Sequence, residues 1–250
     1  MATAPTIPSH PMDDHELVFV RLNKHERAQH VLFFVSFLLL AVTGFTLRLP
    51  EDWMRRLGEI GMGYEARSLV HRAAGIVMIL VSLAHIYYVL FIREGREWLR
   101  DIFLRPSDIG EGFRNVQFYL GLRRDPPRFG RFNYKEKMEY WALFVGNTLM
   151  SITGLMMMFE YLWPQLALDI AALVHRMEAI LACLAIIVWH MYEVHLRPGR
   201  FPHSLVWFHG LMDEEEMEEE HPAHLEELKR RGGSRVLRIH RERPEGGDHE

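Results

Sequence analysis

Four long apolar segments are the feature that most restricts how this chain can fold. They are Val31–Leu47, Ala73–Ile92, Tyr140–Phe159 and Ala171–Tyr192. A bilayer core about 30 Å thick is crossed by roughly 20 helical residues, and a helix satisfies its own backbone hydrogen bonds there. The first three segments contain no Asp, Glu, Lys or Arg, and the fourth contains Arg176 and Glu178. The pattern predicts an all-α integral membrane protein, a bundle of four transmembrane helices.

Basic residues are concentrated in one connection and predict the orientation of the bundle. The segment 93–137, between the second and third helices, contains 11 Lys and Arg residues, whereas 160–170 contains none. By the positive-inside rule the basic segment is cytoplasmic, and with four spans both termini are cytoplasmic too. We therefore expect a cytoplasmic N-terminal segment (1–28), a four-helix domain (29–195, with the cytoplasmic loop 93–137) and a cytoplasmic acidic tail (196–250).

Histidines recur at matching depths in these segments. His71 and His85 are 14 residues apart, and His175 and His190 are 15 apart. Both spacings are close to four helical turns, so the two rings of a helix lie on roughly one face, about 21–23 Å apart. His30 starts the first helix, which runs in the opposite direction, and so lies near the level of His85 and His190. Two levels of facing imidazoles predict axial ligands for two b-type haems, with three candidates for the two inner positions.

The single cysteine limits the ways in which a haem could be attached. With Cys183 alone the chain has no intrachain disulfide, no CxxCH attachment site and no set of cysteines for an iron–sulfur cluster. We therefore expect noncovalent ligation by histidines. Residues 1–17 lack a basic region followed by an apolar run, and no cleaved signal peptide is expected.

Short motifs are arranged along residues 20–200 in a characteristic order. They are Arg27-Ala-Gln-His30, Thr43-Gly44, His71 and the pair His175 and His190. In these motifs the chain resembles the four-helix di-haem cytochrome b subunits of membrane-bound formate dehydrogenases and nickel–iron hydrogenases. The resemblance implies that His71 and His175 hold an outer haem, and that His30 and His190 hold an inner one.

The chain departs from that family at two positions. Val31 stands where relatives often have Trp, and His85 stands near the position where many have Arg. Because the spacing in the second helix also suits His85 as the inner ligand, the choice between His30 and His85 stays open. A third haem held by His85 with His25 or His195 is a further alternative.

Charged and proton-carrying residues surround both predicted haem levels. Arg27 is expected to neutralise propionates of the inner haem, and Arg72, with Arg67 and Arg176, those of the outer haem. A quinone needs a hydrogen-bonding or proton-carrying group beside the inner haem. The candidates for a quinone or extra haem site are His85, Glu193, His195, Arg197 and His25.

These features predict a quinone-reactive cytochrome b subunit of the bacterial cytoplasmic (inner) membrane, without catalytic residues of its own. It would carry electrons between the menaquinone or ubiquinone pool and a periplasmic iron–sulfur or multihaem cytochrome subunit, in either direction. The outer loops are too short for a catalytic domain, so we expect a hetero-oligomeric complex, without nucleic acid. The alternative is a haem-free transporter or metal-binding helix bundle that uses the same histidines.

The polar segments give weaker predictions. Ser107-Asp108 is expected to cap a short helix that ends at Gly121, with an apolar stripe facing the membrane surface, a partner or the end of the bundle. The acidic run Met212–His221 is interpreted as a solvated face or as a docking helix for another subunit. Residues 232–250 are predicted to be disordered. We find no internal repeat beyond the histidine spacing.

Overall fold

The structure is a computed structural model that describes residues 15–47, 49–197, 200–201, 203–231 and 236–240. Four helices are long and apolar enough to cross a membrane, which confirms the predicted bundle. They are α1 (Lys24–Thr46), α3 (Tyr64–Phe91), α6 (Tyr134–Met158) and α7 (Gln165–Leu196). Most of their large apolar side chains point away from the rest of the chain, as side chains that face lipid do.

The four spanning helices form two hairpins. α1 packs along α3 to make the first hairpin, and α6 packs along α7 to make the second. The two hairpins meet mainly between α3 and α6, where Asn147 Nδ2 donates to Ser82 Oγ at 2.7 Å. A helix α2 (Glu51–Glu59) connects the first hairpin, and a short 3₁₀ turn (Glu160–Leu162) connects the second. We call the end of the bundle that carries α2 and this turn the turn end.

Both hairpins begin with the same capping arrangement. Asn23 caps α1 by accepting from the backbone N–H of Glu26 at 2.9 Å, and Glu26 accepts from the N–H of Asn23 at 2.8 Å. Asn133 and Glu136 make the same reciprocal pair at the start of α6, at 3.0 and 2.8 Å. Such capping boxes satisfy backbone donors that a helix start leaves free. The two caps therefore fix equivalent starting points for α1 and α6.

The last spanning helix changes its winding before it ends. α7 is α-helical to Leu184 and then π-helical over Ala185–His190 and Tyr192–Leu196. A π turn contains more residues than an α turn and occurs frequently at functional sites. It therefore accommodates the one extra residue that separates His175 from His190, compared with the pair in α3.

Two short helices lie in the connection between the hairpins, α4 (Arg93–Ile102) and α5 (Pro106–Tyr119). The predicted short helix exists as α5, but its N-cap is Arg105, two residues before the expected Ser107, and Asp108 caps it by accepting from the N–H of Arg105 at 2.7 Å. Asp108 also pairs with Lys137 of α6 at 2.7 Å, with both side chains buried. The predicted apolar stripe of α5 is exposed and therefore does not cover the end of the bundle. Its residues are Ile109, Phe113, Val116 and Leu120.

The chain ends contribute a small domain that the sequence did not predict. Strands β1 (His15–Val20), β2 (Leu211–Asp213) and β3 (Val236–His240) form an antiparallel sheet in the order β2-β1-β3. Strand β3 shows that the expectation of disorder was wrong for 236–240; residues 232–235 and 241–250 lie outside the described residues. We call the end of the bundle that carries this sheet, α4 and α5 the sheet end.

The acidic run docks on its own chain. Helices α8 (Val206–His209), α9 (Glu214–Glu220) and α10 (Pro222–Arg231) follow the last span. Met217 of α9 is fully buried against Phe19 of β1, in a core completed by Met212 and Leu225. The glutamates pair with nearby arginines: Glu216 with Arg200, and Glu220 with Arg197 and Arg200. Intramolecular ion pairs and one buried methionine therefore explain this segment.

Candidate functional site

Two histidines face each other across the hairpins near the turn end. The rings of His71 on α3 and His175 on α7 have their centres 6.4 Å apart. Bonds between a metal and an imidazole nitrogen are about 2 Å long, so two imidazoles on opposite sides of one iron have ring centres about 6 Å apart. The observed separation fits two axial ligands of one haem iron.

Threonines on the partner helices orient both rings. Thr43 Oγ1 donates to the carbonyl of Leu39 at 2.6 Å, so it accepts from His71 Nδ1, which lies 2.9 Å away. Thr153 Oγ1 donates to the carbonyl of Leu149 and lies 2.8 Å from His175 Nδ1. With the proton on Nδ1, the lone pair of Nε2 is available to a metal.

Two glycines make room for these rings. A Cβ atom at Gly44 would lie 3.3 Å from His71 Cε1, and one at Gly154 would lie 3.4 Å from His175 Cε1. A Cβ atom at Gly44 would require a shift of a few tenths of an ångström, and one at Gly154 would just touch the ring, so side chains larger than alanine would crowd both imidazoles. The Thr-Gly pairs thus set both the hydrogen bond and the position of each imidazole.

These contacts reveal an internal repeat and correct the expectation that none exists. The capping asparagine and the Thr-Gly pair are 20 residues apart in both hairpins, from Asn23 to Thr43 and from Asn133 to Thr153. Only Thr43-Gly44 was recognised in the sequence, and Thr153-Gly154 was missed. The signal that could have found it is the recurrence of Asn-x-x-Glu followed by Thr-Gly at one fixed spacing.

A second cluster of histidines lies nearer the sheet end. His190 Nδ1 is 3.1 Å from Glu139 Oε2 of α6, and a carboxylate accepts the proton of that nitrogen. The other oxygen of Glu139 is buried and has no hydrogen-bond partner among the described residues. His30 on α1 lies close enough to His190 for their charges to interact, and its ring centre is 6.4 Å from that of Trp207.

His85 occupies the equivalent place in the first hairpin but has both ring nitrogens engaged. Gln29 Oε1 lies 2.7 Å from His85 Nδ1 and accepts its proton, and Tyr140 O–H lies 3.1 Å from Nε2, to which it can donate. Trp98 packs edge-on against the same ring at 5.5 Å between centres. This geometry holds His85 as a satisfied histidine between the two hairpins.

The arginines expected to meet haem propionates differ in their surroundings. Arg27 donates from Nη1 to the carbonyl of Phe208 at 2.6 Å, while its Nε is buried without a hydrogen-bond partner among the described residues. Arg72 and Arg176 are exposed. Arg67 is 2% exposed and donates to the carbonyls of Gly63 and Thr46. Arg67 therefore joins the ends of α1 and α3, a structural role that was not foreseen.

The remaining predicted residues lie around the sheet end of α7 and α1. Glu193 is held by Lys135 at 2.9 Å, and Arg197 pairs with Glu220 of the tail. His195 Nδ1 accepts from the backbone N–H of Ser204 at 3.3 Å. The exposed His25 has its ring centre 6.5 Å from that of Tyr88. Glu193 and Arg197 are thus tied into ion pairs that link α6, α7 and the tail.

Comparison with known proteins decides the family. The family model described as prokaryotic cytochrome b561 matches residues 21–201, which contain all four spanning helices. The chain belongs to the prokaryotic cytochrome b561 family. It is also similar to the formate dehydrogenase cytochrome b556(fdo) subunit of Escherichia coli strain K12, with 24% identity over 181 residues that cover 69% of this chain and 77% of the relative. The same subunit of strain O157:H7 matches equally well.

Membership of the cytochrome b561 family confirms the resemblance that the sequence motifs indicated. The chain is a membrane cytochrome b that binds haem b and transfers electrons. This assignment opposes the alternative of a haem-free transporter or metal-binding bundle. Within the part of the chain that the structure describes, no group of three or more His, Cys, Asp or Glu residues could hold a metal ion.

Proposed function

We propose that the chain is the di-haem, quinone-reactive subunit of a larger membrane oxidoreductase. It would carry electrons between a redox partner at the turn end and the quinone pool at the sheet end. The observation that carries this proposal is the facing pair His71 and His175, oriented by Thr43 and Thr153 and spaced as two axial ligands require. When bound, each haem b accepts and releases one electron through its iron.

For the second haem we propose His30 and His190 as the ligands. His190 leaves Nε2 available because Glu139 accepts the proton of Nδ1, and His30 of α1 lies in the same neighbourhood as His190 and His195. His85 is the weaker candidate because Gln29 and Tyr140 use both of its nitrogens. Breaking two hydrogen bonds to a part-buried ring would oppose ligation by His85.

Arginines near each pair would bind propionates. The unpartnered Nε of Arg27 supports a role at the haem between His30 and His190, since a buried donor without an acceptor is costly. Exposed Arg72, next to His71, would serve the other haem as a charged group at the membrane surface. Both assignments rest on the fact that neither arginine forms an ion pair with a carboxylate among the described residues.

The orientation that we propose places the sheet end in the cytoplasm of a bacterium, with the bundle in its inner membrane. The 11 basic residues of 93–137 lie at that end, together with the strands β1 and β3. The turn end would then face a periplasmic partner, an iron–sulfur or multihaem cytochrome subunit. The curated relative is named as a subunit of formate dehydrogenase, which supports assembly with other subunits.

A quinone, menaquinone or ubiquinone, would bind beside the His30–His190 level. His195 and His25 are the proposed proton-carrying groups, because Glu193 and Arg197 already form ion pairs. His85 remains a candidate through its hydrogen-bonded neighbour Tyr140, which could pass a proton without leaving the network. An imidazole is suited to this exchange because its ordinary pKa is close to neutral pH.

The experiment that tests the proposal is a reduced-minus-oxidised spectrum of the purified chain with pyridine haemochrome quantitation. We expect two b-type haems per chain, and we expect added quinol or quinone to change their redox state. One haem, or three, would contradict the proposed ligand pairs. Two haems that do not respond to any quinone would contradict the quinone site and leave the haem ligation intact.

A further inference from the structure

An open groove of about 500 Å³ lies on the outside of the bundle at the sheet end. Its walls combine apolar and basic side chains from the end of α3, from α4 and from the connection between α4 and α5. The lining residues are Val89, Leu90, Arg96, Leu99, Arg100, Phe103 and Arg105. None of them belongs to the histidine levels described above, so the groove is separate from the electron-transfer site.

The groove exists because α4 folds back tightly against the end of α3. Gly95 is buried there, and a Cβ at this position would lie 2.1 Å from the carbonyl oxygen of Tyr88. At the other end of α4, Trp141 Nε1 donates to the carbonyl of Ile102 at 3.2 Å. The face of α4 with Gly95 and Ile102 is therefore fixed to the bundle, while Arg96, Leu99 and Arg100 line the groove.

Neighbouring aromatic residues indicate the depth of the groove in the membrane. Trp98 packs against Tyr140 with ring centres 4.7 Å apart, and Trp141 packs against Phe103 at 5.5 Å. Trp and Tyr are enriched at the level of the lipid headgroups. Val89 and Leu90 belong to the spanning helix α3 itself. The groove therefore extends from the hydrocarbon region to the headgroup level.

Positive charge dominates the polar end of the groove. Within the part of the chain that the structure describes, no side chain pairs with the guanidinium of Arg96. Arg105 donates to the carbonyl of Arg100 at 3.0 Å and forms no ion pair among the described residues, although Glu111 lies near enough to interact with its charge. Arg100 pairs with Asp101 at 3.3 Å, and that carboxylate is shared with Arg131. A net positive charge thus lies beside apolar walls at the membrane interface.

We propose that this groove binds one anionic phospholipid. The phosphate headgroup would bind to Arg96, Arg100 and Arg105, and an acyl chain would pack along Leu90 and Phe103. Charge complementarity and the continuity of the groove with a spanning helix favour a lipid over a partner protein. Basic sites between membrane helices on the cytoplasmic side are suited to such headgroups. The proposal does not depend on the number of haems or on the quinone site.

The test is a titration of the full chain, purified in detergent and delipidated, with dioctanoyl phosphatidylglycerol or phosphatidylcholine, followed by native mass spectrometry. We expect one tightly bound phosphatidylglycerol and much weaker binding of phosphatidylcholine. The double variant Arg96→Gln/Arg100→Gln should bind phosphatidylglycerol about 30-fold more weakly. The matched control Arg123→Gln/Arg124→Gln removes the same charge from exposed positions outside the groove and should bind as the unmodified chain does.

Three outcomes would overturn the proposal. Equal binding of both lipids would show that charge does not select the ligand. An equal loss in the control variant would indicate nonspecific attraction by the basic loop. Equal affinity for sn-glycerol 3-phosphate would show that the apolar walls are not used and that the site binds free phosphate esters. Arg96→Lys/Arg100→Lys, which keeps the charge, should retain most of the phosphatidylglycerol binding and exclude a folding defect.

Discussion

The first hairpin has His30 seven residues after its capping asparagine, whereas the second hairpin has Tyr140 at the same distance from its own. One residue earlier the pair is Gln29 and Glu139. Each of these residues contacts the histidine of its own hairpin that lies nearer the sheet end. Gln29 contacts Nδ1 of His85, and Glu139 contacts Nδ1 of His190. Near the turn end the two hairpins make equivalent contacts with their histidines, since each presents a Thr-Gly pair to an imidazole.

If the chain holds the two haems proposed above, the contrast would explain how a repeated scaffold binds them in different ways at its two ends. At the turn end equivalent histidines, His71 and His175, face each other across the repeat. At the sheet end the equivalent histidines differ, because Tyr140 contacts Nε2 of His85, whereas among the described residues no hydrogen bond to Nε2 of His190 is found. Because the first hairpin has His30 where the second has Tyr140, only His30 and His190 would be available to iron at the sheet end.

The largest expected effect on haem content comes from replacing, one at a time, the two histidines nearer the sheet end, His190 and His85. His190→Ala should lose the haem proposed at the sheet end and keep the other, giving one haem per chain. His85→Ala should keep both, because it removes only hydrogen bonds to Gln29 and Tyr140. Pyridine haemochrome quantitation of the two purified variants measures this. If His85→Ala loses a haem and His190→Ala does not, the two hairpins have been assigned the wrong way round.

A smaller effect is expected from making the second hairpin resemble the first at the position before Tyr140. Glu139→Gln replaces a carboxylate acceptor by an amide, which weakens electron donation from His190 to the iron. The midpoint potential of that haem should rise by about 50–100 mV. Spectroelectrochemical titration measures both haems separately. Gln29→Ala is the control in the first hairpin and should move neither potential; a shift there would implicate His85 as a ligand.

The symmetry at the turn end predicts two equal and still smaller effects. Thr43→Val and Thr153→Val each remove the acceptor of one imidazole N–H while keeping the shape of the side chain. Each should raise the potential of the haem between His71 and His175 by roughly 30–60 mV. The same titration would detect the shifts. Markedly different shifts in the two variants would show that the two ligands are not equivalent.

The smallest effect concerns the tail, which contacts the starts of both hairpins. His221 lies 3.1 Å from Arg21 Nη2, before α1, and 3.7 Å from Glu136 of α6. Burial and the nearby charge of Arg21 hold the pKa of His221 well below its usual value of 6.5. The unfolded tail therefore binds a proton that the folded tail excludes, and tail stability should fall as the pH drops below about 6.5, by at most about 1.4 kcal/mol per pH unit.

Hydrogen exchange of β1, α9 and α10 at pH 7.5 and pH 5.5 checks this expectation. The amides should exchange faster at pH 5.5, after correction for the intrinsic rate. His221→Gln keeps a polar side chain without the titration, and its tail stability should not depend on pH over this range. An unchanged pH response in His221→Gln would assign the effect to another group.

Much of the bundle could be predicted from sequence because hydropathy and helical periodicity are local properties. The runs that contain His71 and His175 are spans by length and composition alone, and their depth follows from the rise per residue. The repeat escaped detection because it consists of a few residues, such as Asn133 and Thr153, separated by unrelated apolar ones. Because almost any apolar side chain can face lipid, the other positions of the two hairpins differ freely. The hairpins therefore share equivalent contacts while having little sequence identity.

The sheet and the docked tail could not be predicted for a different reason. Strand β1 pairs with β2 and β3, which lie roughly 200 residues further along the chain, and β2 is only three residues long. Met217 lies in a strongly acidic run, and only its burial against Phe19 makes it part of a core. Local pattern therefore left the acidic run as a solvated face or as a docking helix for another subunit, and indicated a disordered end.

The sequence by itself determined the four spans, the two histidine levels and the resemblance to di-haem cytochromes, because each depends on residue type and spacing along one helix. Only the tertiary structure decided which groups meet across helices: Thr43 with His71, Thr153 with His175, and Glu139 with His190. It also engaged both nitrogens of His85 and brought His190 into register through a π turn. Such choices depend on the rotation and offset of neighbouring helices, which packing sets and no single helix encodes.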